Sequence, residues 1–489
     1  MFSRDPGGHE FRRERKNESK MGRAQLSYTT KDYASIRQEL LDRVPQLTDR
    51  WTDFNASDLG VVLLELFCGI GDMLAYYLDA QAAEAFLPTA RQRQSILNLC
   101  KLIDYRLSLP VAASTTLRFT LPTALNQDLL IPAETACQAL LDEGEVDFET
   151  IADTLIPRGS VQIETGARQG VRKRETFTGS GAPWQRLTLP GKTIAQGTLS
   201  VRVNGSAWRE VLHFQESGTD SPHFLSETDH LDVTTLSFGD GRHGAIPASG
   251  APLEVSWLET LGAEGNLGPN RVTQVLTPIY LGGSRIRLSV TNPIAASGGS
   301  DRETHNHART QAPAELRTLW KAVTQEDYRT LAEGFPGMAK AQILDTNTCT
   351  NIRYYNVHLA IAPCGGGIAS PVLKRDLAEF LETRKVITVE ISLFDPIYRA
   401  IPIGAEVYTW PTEQPDQVRS RLEQALRDFF DFERVSFGQT VHFSDLVALL
   451  DGTPGVSHVR MTSPDGDIAV GRGEIPVLGE VHLEMKRAQ

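Results

Sequence analysis

Chemistry in this chain would have to come from its histidines, cysteines and carboxylates, so their types and spacing are tested first. His213, His223 and His230 share one polar stretch with Asp229 and could gather round a metal, but they lack the short, fixed ligand spacing of a zinc site. His305 and His307 stand two apart in a segment expected to be helical. Positions i and i+2 of a helix point to different faces, so a surface pair is expected. The five cysteines (Cys68, Cys100, Cys137, Cys349 and Cys364) contain no CxxC pair and outline neither a disulfide framework nor a zinc ribbon. Cys349 and Cys364 read as apolar interior positions. Gly191-Lys192-Thr193 looks like the end of a phosphate-binding loop, yet the glycine needed five places earlier is Arg186. No GxSxG elbow and no HExxH helix occurs. Asp240, between two glycines, lacks the alternating carboxylates of a calcium loop and is expected to form a turn. Carboxylates are plentiful, but nothing isolates two of them in an apolar setting, as glycoside hydrolysis requires. No catalytic residue, metal ligand or cofactor site is assigned.

The elements that would position any site are legible from composition and periodicity. At 489 residues, 40% hydrophobic and 22% charged, the chain is long enough for three or four globular domains. A net charge of −12 and a pI near 5.5 disfavour binding to a phosphate backbone and favour protein partners. The basic run Arg12, Arg13, Arg15, Lys16, Lys20 and Arg23 lies in a leader, residues 1–24, without apolar periodicity and is expected to be disordered. No signal peptide is visible, because the first twenty residues are charged. The sparse cysteines imply a reducing compartment.

Residues 25–112 read as a helical hairpin or bundle. Tyr33 to Leu47 shows a helical pattern, and Asn55-Ala56-Ser57-Asp58 supplies side-chain oxygens to cap a second helix. That helix carries Leu59, Val62, Leu63, Leu66, Phe67, Ile70, Met73, Leu74, Tyr77 and Leu78 on one broad face. Glu65 and Asp72 interrupt it, so no membrane span is expected. The stripe either packs inside its own domain or is shared with a partner's helix. Thr89 and Gln92 suggest a cap for a third helix.

From Leu117 the period changes to two, as in Leu117, Phe119, Leu121 and Leu199, Val201, Val203, which makes 113–295 a β-rich domain. Asn204-Gly205 is a hairpin turn signal. Helices then alternate with strands in 296–392 and 393–489. Gly334-Phe335-Pro336-Gly337 recurs as Gly452-Thr453-Pro454-Gly455, which implies two related α/β units. Each copy is expected to follow a capped helix, with Thr324 and Asp327 at one and Ser444 at the other, and to end it on a left-handed glycine. Ser370-Pro371 and Pro415 open further helices, and Val386-Ile387-Thr388-Val389 reads as a strand. The class is α+β, multidomain.

The run Phe238-Gly239-Asp240-Gly241, Gly244 and Pro247, followed by Gly265-Asn266, resembles the signature of baseplate J proteins. So does the series Val290-Thr291-Asn292-Pro293, Ser297-Gly298-Gly299-Ser300-Asp301 and Ala312-Pro313, leading to Pro336-Gly337. The similarity runs from about Tyr28 to the carboxyl end. It implies a structural wedge subunit of a contractile phage tail or extracellular injection particle, part of a hexameric ring around the hub, with no cofactor. The implied partners are a second copy of the chain, a larger wedge protein, a sheath-initiating baseplate protein and hub or spike proteins. Nucleic acid is not among them. The family forms a core bundle from such helices, and the 59–78 stripe is the candidate for it. Assembly in the bacterial cytoplasm, residence in the baseplate and coupling of its rearrangement to sheath contraction follow from the same resemblance. The charged leader departs from the family pattern. Rival readings are a particle-borne cell-wall hydrolase and a glycan-binding fibre.

Overall fold

The structure, a computed structural model, describes residues 29, 31–141, 144–191, 193–344 and 355–487. The basic leader, Lys192 and Cys349 lie outside the described residues. The chain divides into two compact units, Met1–Leu102 and Ile103–Gln489, each described by itself.

In the first unit, α1 (Tyr33–Leu47) starts at a reciprocal cap: the Asp32 carboxylate accepts from Ser35 N, and Ser35 Oγ accepts from Asp32 N. α2 (Leu59–Ala83) starts at Asp58, whose carboxylate accepts from Gly60 N at 2.8 Å and Val61 N at 3.2 Å. α3 (Arg93–Lys101) corrects the expected Thr89–Gln92 cap, since Gln92 makes no side-chain capping bond. Thr89 Oγ1 instead donates to Ala83 O at 2.7 Å, one of the carbonyls left free where α2 ends. Glu84, where α2 ends, holds the approach to α3, accepting from Arg91 N at 2.8 Å and Gln92 N at 3.1 Å.

The second unit is mixed α+β, with a β-rich first part. Six antiparallel strands lie in the order 272–275, 136–141, 144–150, 162–169, 114–120 and 289–291. Leu117 and Phe119 point from this sheet into its core with Phe148 and Val272, all fully buried. A seven-stranded sheet is inserted between the strands at 162–169 and 272–275. It encloses a separate core of Trp257, Phe224, Leu236 and Phe238. One of its hairpins turns on Asn204 and Gly205, with φ of 52° and 79°, as a type I′ turn requires.

Four of the remaining helices pack on two three-stranded sheets. α4 (His305–Thr318) precedes α5 (Gln325–Glu333), which has the expected Thr324–Asp327 cap. α6 (Pro371–Glu382) opens on Ser370, which accepts from Leu373 N at 3.2 Å. α5 and α6 adjoin the sheet of strands 338–343, 356–363 and 390–394, in that order. α7 (Pro415–Phe429) and α8 (Phe443–Asp451) cover the sheet ordered 456–463, 397–409, 474–487.

Three local expectations are corrected here. Ser444 does not cap α8: His442 is the cap residue, and Asp467, arriving from a distant loop, accepts from Phe443 N at 2.8 Å. Residues 386–389 form a turn, with Ile387 96% exposed, and the strand begins only at Glu390. Gly334 and Gly452 end their helices in right-handed conformation, and it is the second glycine of each repeat, Gly337 (φ 88°) and Gly455 (φ 100°), that takes the left-handed one. The reversal falls after the proline because each new strand must leave there. The two sheets share one pattern, a central strand with one antiparallel and one parallel neighbour, but the chain threads them differently. The central strand follows the Pro-Gly strand in the first sheet and precedes it in the second.

Candidate functional site

Asp58, Glu65, Asp72 and Asp79 recur every seven residues along α2, a spacing that keeps them on one slowly drifting line of the helix. Each meets a group from the chain before it. Asp58 accepts from Trp51 Nε1 at 3.1 Å, Glu65 pairs with Arg37 Nε at 2.9 Å, Asp72 accepts from Tyr33 N at 3.0 Å and Asp79 from Thr29 N at 2.9 Å. As the acids ascend, their partners descend, so α1 lies antiparallel along this line. Val61 and Cys68 are buried beside it. The carboxylates thus fix the α1–α2 register. The sequence carries this sevenfold signal, and the apolar stripe obscured it.

All ten apolar residues of the stripe lie away from that line. Their exposure runs from 40% at Val62 to 73% at Leu59, with Phe67 at 66% and Leu74 at 64%. The stripe is therefore not the interior of its own domain. Burying each such side chain is worth roughly 1.5–3 kcal/mol, and monomeric soluble proteins rarely expose contiguous apolar surface of this extent. By length and composition alone α2 is also apolar enough to cross a membrane.

The turn residues of the resemblance occupy structural positions. Asp240 accepts from Arg242 N at 2.9 Å and His243 N at 2.6 Å, and these amides hold its carboxyl below the usual carboxylate range. A Cβ on Gly239 would fall 2.2 Å from Gly244 O, so only glycine fits where the two ends of this turn close. Pro247 follows the turn, and Phe238 ends the preceding strand with its ring fully buried. Asn266 Nδ2 donates to Gly299 O at 2.7 Å while its Oδ1 accepts from Gly299 N at 2.8 Å, which pins the loop after Gly265 to the Ser297–Ser300 segment. A Cβ on Gly337 would stand 2.8 Å from Gly298 O, so the Pro336-Gly337 turn packs directly on that segment. At the second copy, Pro454 O accepts from Arg421 Nη1 at 3.0 Å and Gly455 O from Trp410 N at 3.1 Å.

Sequence reasoning missed a buried polar cluster on α4. Glu303 accepts from Tyr105 Oη at 2.6 Å and Ser108 N at 3.0 Å and bonds His307 Nδ1 at 2.6 Å. This last bond raises the His307 pKa. His307 is exposed, as a surface residue is expected to be, and is tied there to a buried carboxylate. Burial pushes Glu315 up to about 7 and also raises Glu333. The available signal was Ala308, Gln311, Ala312 and Glu315, polar residues interleaved at core-facing helical spacing. A carboxyl titrating near neutrality can exchange a proton, and Glu315 lines a cleft of about 760 Å³. Among the described residues no group of three or more histidines, cysteines and carboxylates gathers to hold a metal. His223 Nδ1 is engaged with Ser217 Oγ at 2.8 Å, and Cys364 is half-buried with its thiol pushed up to about 11.

Residues 32–102 match the family described as bacteriophage baseplate protein, N-terminal domain, and residues 402–484 match the baseplate J-like protein C-terminal domain. The baseplate wedge protein gp6 of Enterobacteria phage T4 is 22% identical over 447 residues, an alignment covering 82% of this chain. The chain spans 64% of the length of that relative. Among solved structures, the baseplate of the anti-feeding prophage, determined with six-fold symmetry, aligns with a TM-score of 0.35 at 17% identity, covering 92% of this chain and 90% of the other. The type VI secretion TssK-TssF-TssG baseplate subcomplex aligns with a TM-score of 0.27 at 8% identity, covering 68% and 96%. The chain thus carries one segment similar to a baseplate amino-terminal domain and one similar to a baseplate J-like carboxy-terminal domain, and most of its length aligns with a baseplate wedge protein.

Proposed function

We propose that this chain is a non-catalytic wedge subunit that enters a helical bundle through the outward face of α2. One observation carries the reading: ten apolar side chains lie exposed on a helix whose polar line is already paired with its own hairpin. Such a face, with its opposite side fixed in register, is built to receive helices from other subunits. In this reading the bundle combines a second copy of the chain with a larger wedge protein. The remaining domains form ring contacts and meet the sheath-initiating and hub proteins, and their rearrangement is coupled to sheath contraction. Among the described residues, two core clusters centred in 113–295 and one each within 296–392 and 393–489 support this division, while a smaller cluster of Ala362, Val435 and Ile475 joins the last two. The repeated Pro-Gly turn supports common descent of the two α/β units. Assembly takes place in the bacterial cytoplasm.

The test is incorporation. Phe67→Glu with Leu74→Glu, both at exposed positions, is expected to leave the fold intact and to exclude the chain from particles isolated from its host. Normal incorporation of the double variant would overturn the proposal. The membrane-crossing composition of α2 supports a second reading, and partition of the chain into lipid vesicles in place of particles would establish it.

A further inference from the structure

A second apolar surface lies far from α2 in sequence, at the turn between α4 and α5. Ala322 N donates to Arg384 O at 3.0 Å and pairs with Lys385, which brings residues 316–323 alongside 384–387. These neighbouring turns expose Leu316, Leu319, Trp320, Val323, Val386 and Ile387, the last at 96%. Leu319 and Trp320 both hold left-handed backbone, with φ of 47° and 61°, a conformation bulky side chains rarely adopt. Leu319 takes it as the left-handed cap that ends α4 and leaves its side chain 73% exposed, while Trp320 beside it is 38% exposed. Trp320 also forms one wall of the cleft of about 760 Å³, together with Phe335 and Phe380, so the patch opens onto a recess able to take a side chain.

The charges around the patch select the occupant. Its carboxylates are engaged: Glu326 with Arg329, Asp327 with Thr324 N and Val323 N, and Glu382 with Lys385. Arg317 and Lys321 are exposed and form no ion pair among the described residues. An apolar patch rimmed by free cations complements a segment of apolar side chains flanked by carboxylates. The same cations disfavour a symmetric contact with a second copy, which would set like charges face to face. We infer that the α4–α5 and 384–387 turns form a docking surface for an acidic, apolar segment of a neighbouring baseplate subunit. The inference rests on the assembly reading and adds an interface separate from the α2 bundle.

The test places a photoreactive benzoylphenylalanine at Ile387 of the full-length chain and, in a separate protein, at Phe67. Each is assembled into particles and irradiated, and the adducts are identified by mass spectrometry. The expected result is an Ile387 adduct to a segment in which aspartates or glutamates flank apolar residues. Its yield should fall about tenfold in Arg317→Glu/Lys321→Glu and less in Arg317→Gln/Lys321→Gln, with the thermal midpoint unchanged in both. Adducts to lipid, to the same turns of a second copy, or to no protein while Phe67 still cross-links would overturn the docking surface alone. Failure at both positions would remove the assembly reading and this inference with it.

Discussion

Helices α2 and α7 present comparable apolar faces in the sequence and end in opposite surroundings. α7 seats Val418, Leu422 and Leu426 at zero exposure against Ile401, Ile403 and Val407 of the sheet beneath it. α2 turns its polar line towards α1 and leaves the apolar face in solvent. The amphipathic pattern states that a face needs covering. It does not state whether the cover comes from the same chain. What distinguishes the two helices is where their charges go. The charges of α7 face outward, as in the Glu423–Arg427 pair at 3.6 Å, whereas the acids of α2 are drawn inward to its own hairpin.

If this contrast holds, truncations in α7 and in α2 should separate stability from assembly. Leu422→Ala is expected to destabilise the chain by about 2–5 kcal/mol, since it opens a cavity in a closed core. Urea or thermal unfolding of the isolated protein measures it. An unfolding free energy changed by less than 1 kcal/mol would mean that this face, like α2, awaits a partner.

The next effect depends on pH. In the fold Glu315 titrates at about 7 against 4.5 for the free side chain, because burial disfavours its charged form. Its contribution to stability is full below about pH 4.5 and is lost as pH rises through about 7. Glu315→Gln should therefore gain on the native chain as pH rises through this window, by at most roughly 3 kcal/mol. Unfolding curves for both proteins across that range provide the comparison, and a pH-independent difference would place Glu315 in contact with solvent.

Smaller effects sharpen the contrast further. Gly239→Ala forces a methyl into the Gly244 carbonyl and is expected to cost about 1–3 kcal/mol in the same unfolding assay. Arg37→Ala breaks a half-exposed ion pair and should cost under about 1 kcal/mol. Its sharper readout is hydrogen exchange at α1, which should accelerate if the sevenfold line fixes the hairpin.

Much of the fold was legible because its signals are local. Asp58, Thr324 with Asp327, Ser370-Pro371 and Asn204-Gly205 act on backbone within three residues of themselves, and each does so in the structure. The two misplaced helix caps share one cause. Glu84, at the end of α2, holds the amides before α3, and Asp467 caps α8 from a loop that only the folded chain brings near, so Thr89 and Ser444 drew the assignment by proximity alone. The turn at 386–389 reads as a strand because its residues are β-branched, and Ile387 there faces solvent. The stripe on α2 was legible residue by residue. Its exposure was not, because the four acids that orient the helix find their partners 7 to 50 positions away.

Hydroxyl-radical footprinting of Phe67, Met73 and Tyr77, on the isolated chain and on the same chain within assembled particles, tests the account most directly. The account requires rapid oxidation of all three in isolation and strong protection in the particle, while solvent-facing residues remote from α2 react equally in both. Equal oxidation of the three side chains in both states would contradict it.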